Sequence, residues 1–151
     1  MFGGIINLNY FASNGAYNFN VGHGVNIANQ VQLIPTFGVE RYQDGILFPF
    51  YLDINAYPNK NKRGFFDLKL GYSAGTNNRS AINIDYRYRG GAVFSVGYGA
   101  DLYQSEKFKL TLAATYNLRN AKITYRPFDD EERISSKFSY HLIGGRIAAV
   151  F

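Results

Sequence analysis

Cysteine and tryptophan are missing from this chain, methionine occurs once, histidine twice and proline four times in 151 residues. Without cysteine there are no disulfides and no thiolate metal sites, although the compartment stays open. Charged residues are sparse at 18%, with a net charge of +5. The basic residues are scattered, and their densest group, KNKR at Lys60 to Arg63, falls in a turn. Nucleic-acid binding would ask for a basic stripe interleaved with exposed aromatics, so no nucleic-acid partner is expected. No run of ~20 apolar residues occurs, which excludes a transmembrane helix but not membrane-spanning strands, whose alternation averages to neutral hydropathy. No leader precedes MFGG, so the expectation for an exported protein is that this is the mature chain.

What is abundant is tyrosine and phenylalanine, 13 of each, together with 16 glycines, many inside alternating apolar stretches. Tyr and Phe are strand formers that also favour membrane interfaces. Glycine inside a strand marks a bulge, a barrel corner or a close backbone approach. At this length the expectation is one domain spanning residues 1–151.

Period-two alternation is nearly continuous, and helical periodicity is almost absent. In KFKLTLAATYNLR, Phe108, Leu110, Leu112, Ala114, Tyr116 and Leu118 share one face. Lys107, Lys109, Thr111, Ala113, Thr115, Asn117 and Arg119 share the other. Such a strand is longer than the ~5–6 residues usual in globular proteins and suits the ~9–11 of a tilted bilayer span. The same pattern recurs in Ile6 to Phe11, Tyr17 to Val21, Val31 to Arg41, Ile46 to Tyr57, Phe65 to Gly75, Tyr88 to Leu102 and the C-terminal HLIGGRIAAVF, predicting eight strands. Pro35 and Pro49 lie inside two of them, where a missing amide predicts a bulge or a shifted strand limit.

The links alternate in length. NIANQ, PNKNK and QSEK are all short, whereas the other end of the molecule carries SNG, QDG, TNNRSAINID and NAKITYRPFDDEERIS. Short turns at one end and longer loops at the other, with both termini at the short-turn end, predict an all-β, eight-stranded antiparallel up-and-down transmembrane β-barrel. The longest loop, roughly Asn120 to Ser135, is the expected partner-binding surface.

Alternation does not say which face points out, because a soluble lipid carrier and a membrane barrel use it in opposite senses. Small uncharged groups crowd the polar face (Asn7, Asn9, Asn18, Asn20, Thr36, Ser73, Ser95), whereas a water-facing strand favours Lys and Glu. Its charges are mixed, Glu40, Asp53, Asp67 and Asp101 against Lys69, Lys107, Lys109 and Arg146, a set able to pair across a narrow lumen. The apolar face carries aromatics near strand ends (Phe2, Tyr10, Tyr17, Phe48, Phe66, Tyr72, Phe108, Tyr116, Phe151), as interfacial girdles require. The membrane sense is therefore expected, with a soluble lipid-binding barrel as the alternative. An eight-stranded barrel is only wide enough for side chains to fill it, so the lumen is expected to be plugged.

The stretches YQDGILFPFYLDINAY, GFFDLKLGYSAG, GGAVFSVGYGADL and KLTLAATYNL, with the aromatic C-terminus, resemble the small eight-stranded outer-membrane β-barrel families of Gram-negative bacteria, most closely a type common in Bacteroidota. The resemblance implies an outer-membrane location and a closing strand that serves as an address for the barrel-assembly machinery. Ile143, Ile147 and Phe151, with the smaller Gly145 and Ala149 between them, match that address. It implies contact with outer-membrane lipid and lipopolysaccharide, and no ligand.

Catalytic groups are few. His23 in VGHGV has no acid close in sequence and reads as an interfacial histidine. Ser139 and His141, two apart, share a strand face. A small outer-membrane lipid deacylase uses a serine and a histidine at this spacing, but here their order is reversed and no orienting carboxylate can be assigned. The acidic run Asp129 to Glu132 lacks the glycine-turn spacing of a calcium loop and reads as a solvated tip between Arg126 and Arg133. No enzymatic activity, metal or cofactor is expected. The expected role is structural, or accessory within a larger envelope complex, with a protein partner met through the outer loops. The alternative is a lipid-modifying enzyme using Ser139 and His141.

Overall fold

The computed structural model describes residues 2–11, 16–42, 45–58, 63–75, 78–81, 84–127 and 134–151. The strands are β1 (Phe2–Phe11), β2 (Ala16–Ala28), β3 (Val31–Tyr42), β4 (Gly45–Ala56), β5 (Gly64–Gly75), β6 (Asn78–Ala81), β7 (Ile84–Arg89), β8 (Ala92–Gln104), β9 (Lys109–Pro127) and β10 (Ile134–Val150). Every pairing is antiparallel. Eight strands run round a closed ring, β1-β2-β3-β4-β5-β8-β9-β10, and β10 returns to β1 from Ile5↔Val150 to Phe11↔Gly144. Closure leaves no edge inside the ring, which is how strands cross a medium that cannot hydrogen-bond them.

β6 and the first residues of β7 were expected as loop, yet β6 and β7 form a hairpin beside the outer part of β9, from Ile84↔Pro127 to Arg89↔Lys122. The expected loop of Asn120 to Ser135 is likewise mostly strand: β9 and β10 stay paired out to Tyr125↔Ile134. The reason lies in the strand-forming residues of KITYRP, which continue the period-two pattern beyond the barrel wall. A four-stranded extension, β6-β7-β9-β10, thus stands above the ring at the end away from the termini. Tyr88, expected to open the sixth of the eight strands, belongs to β7. Gly90 and Gly91 separate β7 from β8, because a side chain on Gly90 would collide with the Ser73 carbonyl where the chain crosses close to β5. Ser73 N donates to Gly91 O there at 2.8 Å.

The prolines cause neither bulge nor shift. Pairing between β3 and β4 keeps one register from Val31↔Ala56 to Tyr42↔Gly45, and Pro35 pairs with Leu52 and Pro49 with Ser73. Each proline interrupts only one ladder: the pairs of Ile34 and Pro35 are missing towards β2, and those of Phe48 and Pro49 towards β3. A strand residue bonds one neighbour through both its amide and carbonyl, so a missing amide weakens one side only. The bulges occur elsewhere, at Asn26/Ala28 and Asp101/Tyr103, both at the short-turn end.

Burial is inverted relative to a soluble barrel. Outward-facing Ile143, Phe50 and Ile147 are 69%, 63% and 53% exposed, whereas Glu40, Asp53 and Arg146 are 0%, 0% and 1% exposed. Phe2 side-chain placement, the KNKR residues 60–62 and the acidic run 129–132 lie outside the described residues.

Candidate functional site

The site is the interior of the ring, and register builds it. Asn7↔Asn20 and Asn9↔Asn18 are cross-strand pairs of β1 and β2, and Asn18 stands opposite Glu40 of β3. Their amides form a connected chain. Asn20 Nδ2 donates to Asn7 Oδ1 and Asn18 Oδ1 at 2.8 Å each, Asn9 Nδ2 donates to Asn18 Oδ1, and Asn18 Nδ2 donates to Glu40 Oε1 at 2.8 Å. From the opposite wall Arg119 of β9 reaches Glu40 at 2.5 Å.

The middle of the lumen holds the densest charge. Asp53 and Lys69 are a cross-strand pair of β4 and β5, and Asp67 is diagonal to Asp53 on the same face. Arg146 crosses from β10, its Nη1 lying 2.9 Å from both Asp53 Oδ2 and Asp67 Oδ1, and Lys69 Nζ lies 3.6 and 3.9 Å from the two carboxylates. Towards the short-turn end Lys109 pairs with Asp101 at 3.3 Å and donates to the Tyr57 hydroxyl at 2.6 Å. The lumen therefore balances four cations, Lys69, Lys109, Arg119 and Arg146, against four anions, Glu40, Asp53, Asp67 and Asp101. Balance is required because a buried charge without a partner is costly.

Aromatic rings complete the packing. Tyr51 lies under both Lys69 and Arg119, at 5.3 and 5.9 Å, and Phe65 lies 5.7 Å from the Arg146 guanidinium. Each stands opposite a glycine, Tyr51 against Gly71 and Phe65 against Gly99; a side chain on Gly99 would overlap the Phe65 ring, and one on Gly71 the Phe50 carbonyl and the Tyr51 Cβ. Apolar clusters lie towards both ends. Phe11, Leu47 and Leu142 with Ala16 and Ala121 fill the outer mouth, and Ile5, Ile34, Ala148, Tyr57, Phe65 and Ala113 fill the other. Paired charges in the middle and apolar clusters towards each end thus occupy the described interior.

No family model matches the chain, and no curated protein matches it. Among solved structures it is similar to the outer membrane protein AlkL, determined by solid-state NMR in DMPC bilayers, with a TM-score of 0.50 and 9% identity over 99% of this chain and 89% of that one. The fold is that of an outer-membrane β-barrel. The outer membrane protein Ail of Yersinia pestis, in a phospholipid nanodisc, is also similar, with a TM-score of 0.44 and 14% identity over 97% of each chain.

Seven of the eight expected lumen charges are in this barrel's interior. Lys107 is not: it is exposed in the turn before β9, because the strand begins at Lys109 and alternation does not extend into a turn. Arg119 was placed on the inward face but missed as a charge partner. Its signal was present in the strand pattern, yet its partner Glu40 is 79 positions away in sequence. Tyr51 and Tyr57 were missed because an aromatic on the inward face reads as ordinary packing.

The outward face of β9 and β10 changes character with height. Leu112↔Ile147 and Tyr116↔Ile143 are followed by Leu118↔His141, Asn120↔Ser139, Lys122↔Lys137 and Thr124↔Ser135. Ser139 and His141 share this exposed face as expected, but each bonds a different residue. Ser139 Oγ donates to Asn120 Oδ1 at 2.9 Å, and His141 Nδ1 lies 2.5 Å from the Tyr116 hydroxyl. His23 is exposed opposite Gly4. Ile143, Ile147 and Phe151 all face outward while Arg146 faces in. The Phe151 amide donates to Gly4 O at 3.0 Å, and its ring stacks 6.4 Å from Phe108, beside Tyr103, in an aromatic group at the short-turn end.

Proposed function

We propose that this chain is a non-enzymatic integral protein of the bacterial outer membrane, of the barrel type common in Bacteroidota, serving as a structural or accessory subunit of a larger envelope complex. The observation that carries the reading is the inverted burial: paired charges from opposite walls meet inside the ring, and aliphatic and aromatic side chains cover its outside. In water that outside would be an apolar surface far beyond what monomeric proteins expose. The side chains that occupy the lumen support a role that does not depend on bulk diffusion. The extension above the ring supports partner binding: among the described residues β6 is paired only to β7, and β10 from Ile134 to Ile143 on one side only, so both present open backbone edges. Outer-leaflet lipopolysaccharide is the expected lipid neighbour, and the barrel-assembly machinery is the expected reader of Phe151.

Expression in a Gram-negative host, with extraction in mild detergent, tests the reading. The expected result is an outer-membrane band whose gel mobility changes on boiling, no sustained conductance in a planar bilayer, and a stoichiometric co-purifying protein. A chain soluble without detergent and carrying a fatty acid would overturn the membrane part, and steady conductance would overturn the closed lumen.

A further inference from the structure

On the outward face above the apolar band, three cations stand side by side across three strands. Lys137 of β10 is directly opposite Lys122 of β9, and Lys122 is directly opposite Arg89 of β7. Like charges directly opposite each other in a sheet are destabilising. Among the described residues none of the three makes an ion pair. The nearest acid in register on these strands, Asp85, stands opposite Arg126 along the ladder, four residues further from the ring, about 13 Å along the strand.

A surface cavity of about 340 Å³ lies against this row, lined by Lys122, Lys137, Ser139, Asn120, Gly90 and Gly91 among others. The Ser139 hydroxyl donates to Asn120 Oδ1, which leaves the Asn120 amide nitrogen as a donor without another partner among the described residues. With Ala121 and Phe138 also in its wall, the cavity offers two lysines and an amide donor, groups that suit a compact anion.

Its height defines the source of that anion. From Phe151 to His141 the outward face of β10 runs ten residue steps, ~33 Å along the strand and ~25 Å in height at the tilt of such barrels, which is the height of their apolar band. The cavity opens just beyond, at the level of outer-leaflet headgroups.

We propose that Lys122 and Lys137, with Asn120 and with Arg89 next to Lys122, form a binding site for a phosphate group of an outer-leaflet saccharolipid such as lipid A. The proposal rests on the membrane reading above. It explains why the sheet tolerates the cation row, since a bound phosphate turns mutual repulsion into charge-assisted hydrogen bonds.

The test uses the full chain in zwitterionic phosphatidylcholine nanodiscs, titrated with bisphosphorylated lipid A, with the dephosphorylated lipid, and with inorganic phosphate, bound lipid being counted by native mass spectrometry. The expected result is binding of the bisphosphorylated lipid alone, about thirtyfold weaker in K122Q/K137Q, from ~1 kcal/mol per basic residue at a charged membrane surface. In discs without lipid A the variant unfolds at the same urea concentration or higher, because repulsion has been removed. Equal binding of both lipids, or unchanged binding by K122Q/K137Q, overturns the site while leaving the membrane reading intact. Displacement by millimolar inorganic phosphate reassigns the source to free phosphate and overturns the lipid. A chain that does not enter the discs overturns both readings.

Discussion

Replacing Arg146 by Met removes the side chain that ion-pairs β10 with β4 and β5 across the lumen. Its Nη1 lies 2.9 Å from Asp53 Oδ2 and from Asp67 Oδ1, and all three groups are buried. The variant leaves both carboxylates with Lys69 alone, at 3.6 and 3.9 Å, so the middle of the lumen carries one uncompensated negative charge. Each lost contact is worth ~4 kcal/mol at an effective dielectric near 20, partly offset because Met needs no desolvation. Removing one partner of a buried pair costs ~3–5 kcal/mol, and that is the expected loss for Arg146→Met. The assay is urea unfolding in zwitterionic vesicles, followed by the fraction of folded, heat-modifiable protein. The second arm is R146M/D53N, which restores one cation to one carboxylate through Lys69 and Asp67 and should recover about half of the loss. The reasoning fails if Arg146→Met costs less than ~1 kcal/mol, which would mean that water screens the lumen charges. It fails equally if the double variant is no better than the single one. Should R146M not insert at all, its rescue by Asp53→Asn remains the deciding measurement.

Other expectations follow from the same geometry. Leu8→Arg, on the outward face midway along β1 opposite Phe19 and Ile147, should cost ~2–4 kcal/mol in a bilayer, whereas Tyr17→Arg near the outer end should cost ~1 kcal/mol or less; equal costs in vesicle unfolding would contradict the placement of the apolar band. Deleting Phe151 removes one backbone bond and one exposed ring stack, so the finished barrel should lose no more than ~1–2 kcal/mol, while its yield in the outer membrane of a host should fall severalfold. Normal insertion of that variant would remove the assembly role. Ser139→Ala and His141→Ala should leave the host's lipid A unchanged by mass spectrometry, since the two side chains bond Asn120 and Tyr116 and not each other. A lipid modification that depends on either residue would establish an enzyme.

The strand residues alone determined the fold class, the inward and outward faces and the position of Arg146, because a period of two encodes facing without reference to any distant residue. Alternation in Phe65 to Gly75 assigns Asp67 and Lys69 to one face and Phe66 and Leu70 to the other whatever the rest of the chain does. What tertiary structure decided was everything that depends on register and closure. Arg119 meets Glu40, and Arg146 meets Asp53 and Asp67, only because the ring brings β9 and β10 opposite β3, β4 and β5. The outer extension followed the same logic: KITYRP reads as a loop while the eight strands are being counted, and becomes strand once β7 and β10 supply ladders on both sides of it. Lys107 failed in the opposite direction, since alternation continued on paper into a turn that has no faces. The prolines proved harmless because a strand inside a ring has two ladders, and a missing amide weakens only one. A strand pattern specifies which way a side chain points, and the closed sheet specifies what it meets there.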